Sequence, residues 1–216
     1  MHPCRWCAAL SGPDLAQLAG RAAHSRNIGA LLARTAYRIE VHGRHHVPAH
    51  GPALLVGSDL NLFSAAIVAS VACRPIHTLA PGALAQLGDI PVISPGIAAA
   101  QWALELLSAG AAIMVTADVP PLGYLLAHGS VPITPVVVIG GSGKVADDPP
   151  RLRSKIEVYF CAPHTIEAKA SEFDTSDPCA LRVVQGLSER VRQLTSDARN
   201  ECGRRSGLPV IGRVHR

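Results

Sequence analysis

The sequence lacks any apolar run of the ~18–20 residues that a membrane-spanning helix needs. The nearest candidate, Leu62 to Cys73, is shorter and is interrupted by serine. The N-terminus also lacks the basic start, apolar stretch and small-residue cleavage site of a secretory signal. Six cysteines are scattered without a disulfide framework, so we expect them to be reduced. These absences predict a cytoplasmic protein without a spanning helix.

Aromatic residues are scarce, at 4% of the chain, and charged residues make up only 17%. A hydrophobic content of 48% nevertheless excludes an intrinsically disordered chain and fits a globular protein. The 216 residues suffice for one domain that buries roughly 70–75% of its unfolded surface. The net charge of +4 is compatible with an anionic membrane surface or a phosphate-bearing ligand, but it is too small to indicate nucleic-acid binding.

Short β-like apolar runs alternate with helical patterns from residue 38 onward. This alternation predicts a single α/β domain with a mostly parallel, mixed sheet flanked by helices. Gly110 is predicted to end the second helix of that domain. The predicted strands are Arg38–His42, Ala53–Val56, Ile76–Leu79, Ala112–Thr116, Ile133–Ile139 and Lys155–Cys161, and the predicted helices between them are Ser64–Cys73 and Pro95–Ala109.

The segment before this domain is predicted to be a helix with a basic side, which carries Arg21, Arg26, Arg34 and Arg38. Such a helix either packs on the domain or rests on anionic lipid, so a peripheral position on the inner face of the membrane stays open. The chain therefore divides into an irregular tail (1–12), an N-terminal helical segment (13–37), the α/β domain (38–178), an amphipathic C-terminal helix (179–200) and a basic tail (201–216).

The loop after the second predicted strand is the first candidate for a functional site. A His/Pro/Gly turn and a buried apolar strand, Pro52 to Gly57, lead into it, and it carries Ser58, Asp59, Asn61 and Ser64. We expect a loop in this position to open an active site.

Segments on both sides of this loop form an ordered set. They are Val41-x-Gly43 with Val47-Pro48 and Gly51-Pro52, then Leu79-Ala80, Gly88–Val92, Leu104–Gly110, Ile113–Val115 and Val131–Val136. Their order and spacing over residues 37–163 resemble the glycerophospholipid acyltransferases of the 1-acylglycerol-3-phosphate type. The resemblance implies an α/β fold and transfer of an acyl group from acyl-CoA or acyl carrier protein to a lysophospholipid-like hydroxyl, without a metal or another cofactor.

The sequence differs from this family at the positions of the family's catalytic and ligand-binding residues. The family's His, the general base, corresponds to Asp59, and the Asp that orients this base corresponds to Ser64. Ser94 falls about where the second block carries a phosphate-binding Arg. The segment with Thr116 and Asp118 replaces Phe-Pro-Glu-Gly of the acceptor-binding motif, and no Thr-Arg follows it. The loss of all these motif residues together indicates a protein that retains the fold and has lost the catalytic activity.

Two functions are compatible with this pattern, so whether the chain is an enzyme stays open. The first is a catalytically impaired homologue that binds lipid or acyl chains or regulates a partner protein. The second is an active but divergent acyltransferase in which Asp59 or another group is the base. An unperturbed Asp titrates near 3.9 and is a poor base at neutral pH, and Ser64 cannot stabilise a developing positive charge. We favour the first function, with Asp59 capping the following helix.

A cluster of histidines and a pair of cysteines are two further candidates for a metal or redox site. Four histidines lie on the first turn, at His42, His45, His46 and His50. No Cys or acid lies among them to complete a tetrahedral set, so a solvated turn is favoured over zinc. Cys4-x-x-Cys7 lacks both the second pair of a zinc knuckle and the βαβ context of a redox motif.

Overall fold

A computed structural model of the chain describes residues 35–57, 60–79, 92–93, 97–117, 121–128, 131–143, 148–166 and 178–207. The Cys4-x-x-Cys7 motif and most of the helix predicted over 13–37 lie outside these residues. Thr35 and Ala36 are helical, but Arg38 begins a strand. Its assignment to the basic side of the N-terminal helix was therefore wrong.

The described chain alternates strands and helices, as the sequence predicts. The strands are β1 Arg38–His42, β2 Ala53–Gly57, β3 Ile76–Leu79, β4 Val92–Ile93, β5 Ala112–Thr116, β6 Ile133–Ile139 and β7 Lys155–Phe160. The helices are α1 Leu62–Val71, α2 Ile97–Ser108, α3 Pro121–His128 and α4 Pro178–Ser206, and a 3-10 turn covers Arg44–His46. All six predicted strands are confirmed to within a residue. The two-residue β4 was not predicted, because so short a strand carries no periodicity.

The seven described strands form one sheet in the order β1-β7-β6-β2-β5-β3-β4. Every neighbouring pair is parallel except β6 and β7, which are antiparallel. The predicted α/β domain with a mostly parallel, mixed sheet is thus confirmed. All residues of β2 are buried, because it lies at the centre with helices over both faces.

Successive residues of β2 alternate between two apolar layers. Leu54 and Val56 pack in one core cluster with buried residues of α2, α3 and α4. Ala53 and Leu55 pack in a second cluster with buried residues of α1. The helix α1 therefore covers one face of the sheet, and α2, α3 and α4 cover the other.

Glycines in the left-handed region end two of the helices. Gly110 has a φ of 81°, its N–H donates to Leu107 O, and the N–H of Ala111 donates to Leu106 O. This Schellman arrangement confirms the predicted stop of α2. The helix α4 ends at Ser206 before Gly207, whose φ is 64°.

The predicted end of the C-terminal helix near residue 200 was wrong, because α4 continues to Ser206. Its last turns have an apolar contact surface on the sheet: Cys202 is buried against Val137 and Ile139, with Ala198 beside them. This packing outweighs the unfavourable helix propensity of Gly203. The predicted basic tail accordingly begins later than expected.

The eight-residue helix α3 was not predicted, because a glycine lies in its first turn. Tertiary packing explains the glycine. A Cβ atom at Gly123 would lie 2.4 Å from the carbonyl oxygen of Val184 and 2.5 Å from the Ser188 hydroxyl oxygen, both on α4. Only glycine lets α3 approach the backbone of α4 so closely.

This contact predicts that Gly123→Ala lowers the free energy of unfolding by about 1–3 kcal/mol, although alanine is the better helix former. Gly186→Ala in α4 is the matched control, because nothing lies within 4 Å of its Cβ position. The control is expected to be neutral or to gain up to about 1 kcal/mol. Urea unfolding of both variants checks this, and equal effects would contradict the close approach of α3 and α4.

Candidate functional site

The carboxyl ends of β2 and β5 lie side by side near the centre of the sheet. Gly57 and Thr116 are register partners, and the N–H of Ala117 donates to Gly57 O at 2.9 Å. The helices that follow these two strands, α1 and α3, pack on opposite faces. In open α/β sheets, adjacent strands whose helices lie on opposite faces mark the usual position of a ligand crevice.

The predicted site residues divide between the described and the undescribed parts of the chain. Ser64 lies in the first turn of α1, and Thr116 is the half-buried last residue of β5. Asp59, Ser94 and Asp118 lie outside the described residues. Thr116 ends β5, and Ser64 lies in the helix that follows the neighbouring strand β2, so their common site stays a prediction.

The loop after β2 folds an apolar side chain over the end of that strand. Leu60 is buried in the same core cluster as Leu55 and Val68. A Cβ atom at Gly57 would lie 2.3 Å from Leu60 Cδ1, so the side chain of Leu60 fills the space that any residue other than glycine would take. This packing was not predicted, although a glycine at the end of an otherwise apolar strand was its signal.

The helix cap is Asn61, so the expectation that Asp59 caps α1 was wrong. The Asn61 Oδ1 atom accepts a hydrogen bond from the N–H of Ser64 at 2.8 Å, and its Nδ2 donates to the Ser142 hydroxyl at 3.1 Å. The helix begins at Leu62 and not at Ser64. Its N-cap position is therefore residue 61, two residues beyond Asp59. Asn is among the best N-cap residues, and this was the overlooked signal.

Ser64 is held inside the protein. Its side chain is only 3% exposed, and its hydroxyl donates to the carbonyl oxygen of Gly141 at 3.3 Å. A Cβ atom at Gly141 would lie 2.6 Å from the Ser64 hydroxyl oxygen and 2.7 Å from Val138 Cγ1. Ser64 and Gly141 therefore fit each other closely and join α1 to the turn after β6.

These described groups limit the chemistry that they can perform. Asn61, Ser64 and Ser142 offer neutral amide and hydroxyl groups, which neither hold a charge nor accept a proton at neutral pH. They can orient a loop or donate a hydrogen bond to a ligand, but they cannot act as a general base.

The histidine turn lies beside a cleft at the edge of the sheet, where β1 and β7 end. This cleft has a volume of about 580 Å³, and its walls include His42, His45 and His46. His46 is half-buried, with Nδ1 at 2.7 Å from the carbonyl oxygen of Phe160, and His42 stacks on Tyr159 with 4.5 Å between ring centroids. Within the described ranges, no three His, Cys, Asp or Glu side chains are grouped to hold a metal ion.

A buried carboxylate lies next to this cleft. Glu157 Oε1 is 2.7 Å from Lys155 Nζ, and the Tyr159 hydroxyl donates to Oε2 at 2.6 Å. Burial alone would raise the pKa of Glu157, but these two hydrogen bonds outweigh it and hold the pKa below its ordinary value. Each oxygen of the carboxylate thus has a partner on β7 itself.

The geometry defines an α/β protein whose candidate site lies at the carboxyl ends of two central parallel strands. No protein-family model matches the chain, and no curated protein matches its sequence. Its fold is similar to the crystal structure of the 1-acyl-sn-glycerophosphate (LPA) acyltransferase, PlsC, from Thermotoga maritima, with a TM-score of 0.47 and 13% identity over 88% of this chain and 87% of that chain. At this identity the similarity concerns the backbone and not the role of any side chain.

The cap geometry predicts that Asn61→Ala lowers the free energy of unfolding by about 1–2 kcal/mol, because the Ser64 N–H loses its buried acceptor. Asn61→Asp keeps an acceptor at the helix N-terminus, where a negative charge is favourable, and is expected to lose less than half as much. Guanidinium unfolding of both variants measures the difference. An Asp variant that is as unstable as the Ala variant would show that the amide and not the cap is what matters.

Proposed function

We propose that this chain is an acyltransferase-like protein of glycerolipid metabolism that has lost transferase catalysis and that binds an acyl chain or a lysophospholipid-like ligand. The sequence resemblance supplies the ligand class. The observation that carries the loss of catalysis is the burial of Ser64, whose hydroxyl donates to Gly141 O. A residue in the position of the family's orienting carboxylate is here a neutral part of the scaffold.

The chemical reason is the charge that acyl transfer develops. The base that takes the proton of the acceptor hydroxyl becomes more positive, and a neighbouring carboxylate normally stabilises it. The Ser64 hydroxyl has no charge to offer, and its hydrogen is already donated. General acid–base catalysis contributes typically about 10²–10⁴-fold, so a site without it retains little turnover.

Binding does not need that charge. The crevice between the ends of β2 and β5 depends on the strand order and on helices that diverge from adjacent strands. Both features are present without a catalytic pair. A ligand there is expected to reach this protein from a membrane, and the arginines before the domain, Arg21, Arg26 and Arg34, support a peripheral contact with anionic lipid. No helix among the described residues is long and apolar enough to cross a membrane.

The test incubates purified full-length protein with an acyl-CoA and anionic vesicles that contain a lysophospholipid. We expect the protein to sediment with these vesicles, less so as salt increases, because exposed charges are screened, and to release no CoA above the protein-free rate. Asp59→Ala should change neither result. Asp197→Ala, a change at an exposed acid on α4, is the matched control.

Each readout has an outcome that contradicts its own part of the proposal. CoA release that requires the acceptor and is lost in Asp59→Ala but not in Asp197→Ala would establish the divergent enzyme instead. Failure to sediment with vesicles, with or without the lysophospholipid, would remove the lipid-binding part.

A further inference from the structure

Two cysteines that are far apart in the sequence meet beside the cleft. Cys161 directly follows β7, and Cys202 lies in the last turns of α4, 41 positions later. Their sulfur atoms are 3.9 Å apart. Cys202 is only 5% exposed and packs in a small apolar cluster with Val137 and Ile139, so its position is fixed by the core and not by a mobile tail.

The cleft brings solvent to this pair. Cys161 and Cys202 both line it, together with Tyr159, Phe160 and Arg205. A volume of about 580 Å³ admits a small solute. Both thiols are free, so neither is committed to another disulfide.

The surroundings make the two thiols unequal. The hydrogen bond from Cys161 and, to a smaller extent, the nearby Arg205 guanidinium lower the pKa of Cys202, whereas the same hydrogen bond and burial raise the pKa of Cys161. The thiolate is the nucleophile in thiol–disulfide exchange. The lower pKa favours Cys202 as the attacking sulfur and Cys161 as the second thiol, an order that the single variants below test.

We propose that Cys161 and Cys202 are a redox-active dithiol. It forms a reversible disulfide that joins α4 to the end of β7 beside the cleft. The oxidant is a low-molecular-weight disulfide. The Cys202 thiolate attacks one of its sulfurs and expels the other as a thiolate, which leaves a mixed disulfide on Cys202. Cys161 then loses its proton and attacks Cys202 Sγ, which expels the second small thiolate. Two protein thiols are oxidised and one small disulfide is reduced to two thiols, which take up the two protons.

The bond requires only a short movement. The sulfur atoms must close from 3.9 Å to about 2.05 Å, which side-chain rotation and a small shift of the end of α4 can supply. The consequence is a covalent link between the end of β7 and the last turns of α4, both of which line the cleft.

The experiment equilibrates the full-length protein in glutathione buffers of increasing oxidised fraction, alkylates the remaining thiols, and maps the peptides by mass spectrometry. We expect a linked peptide pair containing Cys161 and Cys202 as the main oxidised product, two hydrogen atoms lighter than the reduced pair and reversed by dithiothreitol. Cys73→Ser, a change at an exposed cysteine outside the pair, should give the same linked fraction.

The two single variants test the order of attack. Cys161→Ser is expected to accumulate a glutathione mixed disulfide at Cys202, whereas Cys202→Ser should accumulate much less at Cys161. Oxidised wild type should also show a melting temperature higher by on the order of 5–10 °C, because the link closes a long loop. Wild type that keeps both thiols separately alkylated, while Cys73 reacts, would overturn the proposal whether or not the variants fold.

Discussion

The hydrogen bond from the Ser64 hydroxyl to the Gly141 carbonyl joins the helix that follows the central strand to the turn after β6. Both groups are buried, and the space between them admits no additional side-chain atom. The Asn61 side chain extends the same contact, since it caps α1 and also reaches Ser142. The turn after β6 and the start of α1 are thus one packed unit.

Much of the fold was predictable because its central strands are buried on both faces. The sequence of β2 is a continuous apolar run, and its central position follows from that run together with the βαβ alternation. Gly110 was predictable as a helix stop because a residue that adopts a positive φ there is almost always glycine. The helix α3 was not predictable, since the reason for Gly123 lies on α4, more than fifty residues away in the chain.

The motif order singled out Ser64 and Thr116 as site residues, and their common site stays a prediction. Thr116 ends β5, and Ser64 lies in the first turn of the helix that follows β2. The sequence could not reveal that Ser64 donates to Gly141, because that contact joins positions 77 apart. Nor could it reveal the meeting of Cys161 and Cys202, which depends on the full length of α4. The helix α4 therefore packs on α3 near its own N-terminus and lines the cleft near its C-terminus.

Transferase turnover by the double variant Asp59→His with Ser64→Asp tests the central claim most directly, measured beside Asp59→His alone. If the site around Ser64 has become scaffold, the introduced carboxylate is buried against the Gly141 carbonyl oxygen, which repels it. We predict a lower free energy of unfolding and no acyl transfer above that of Asp59→His. A double variant that is as stable as wild type and transfers acyl groups to a lysophospholipid would show that the site had kept its catalytic form.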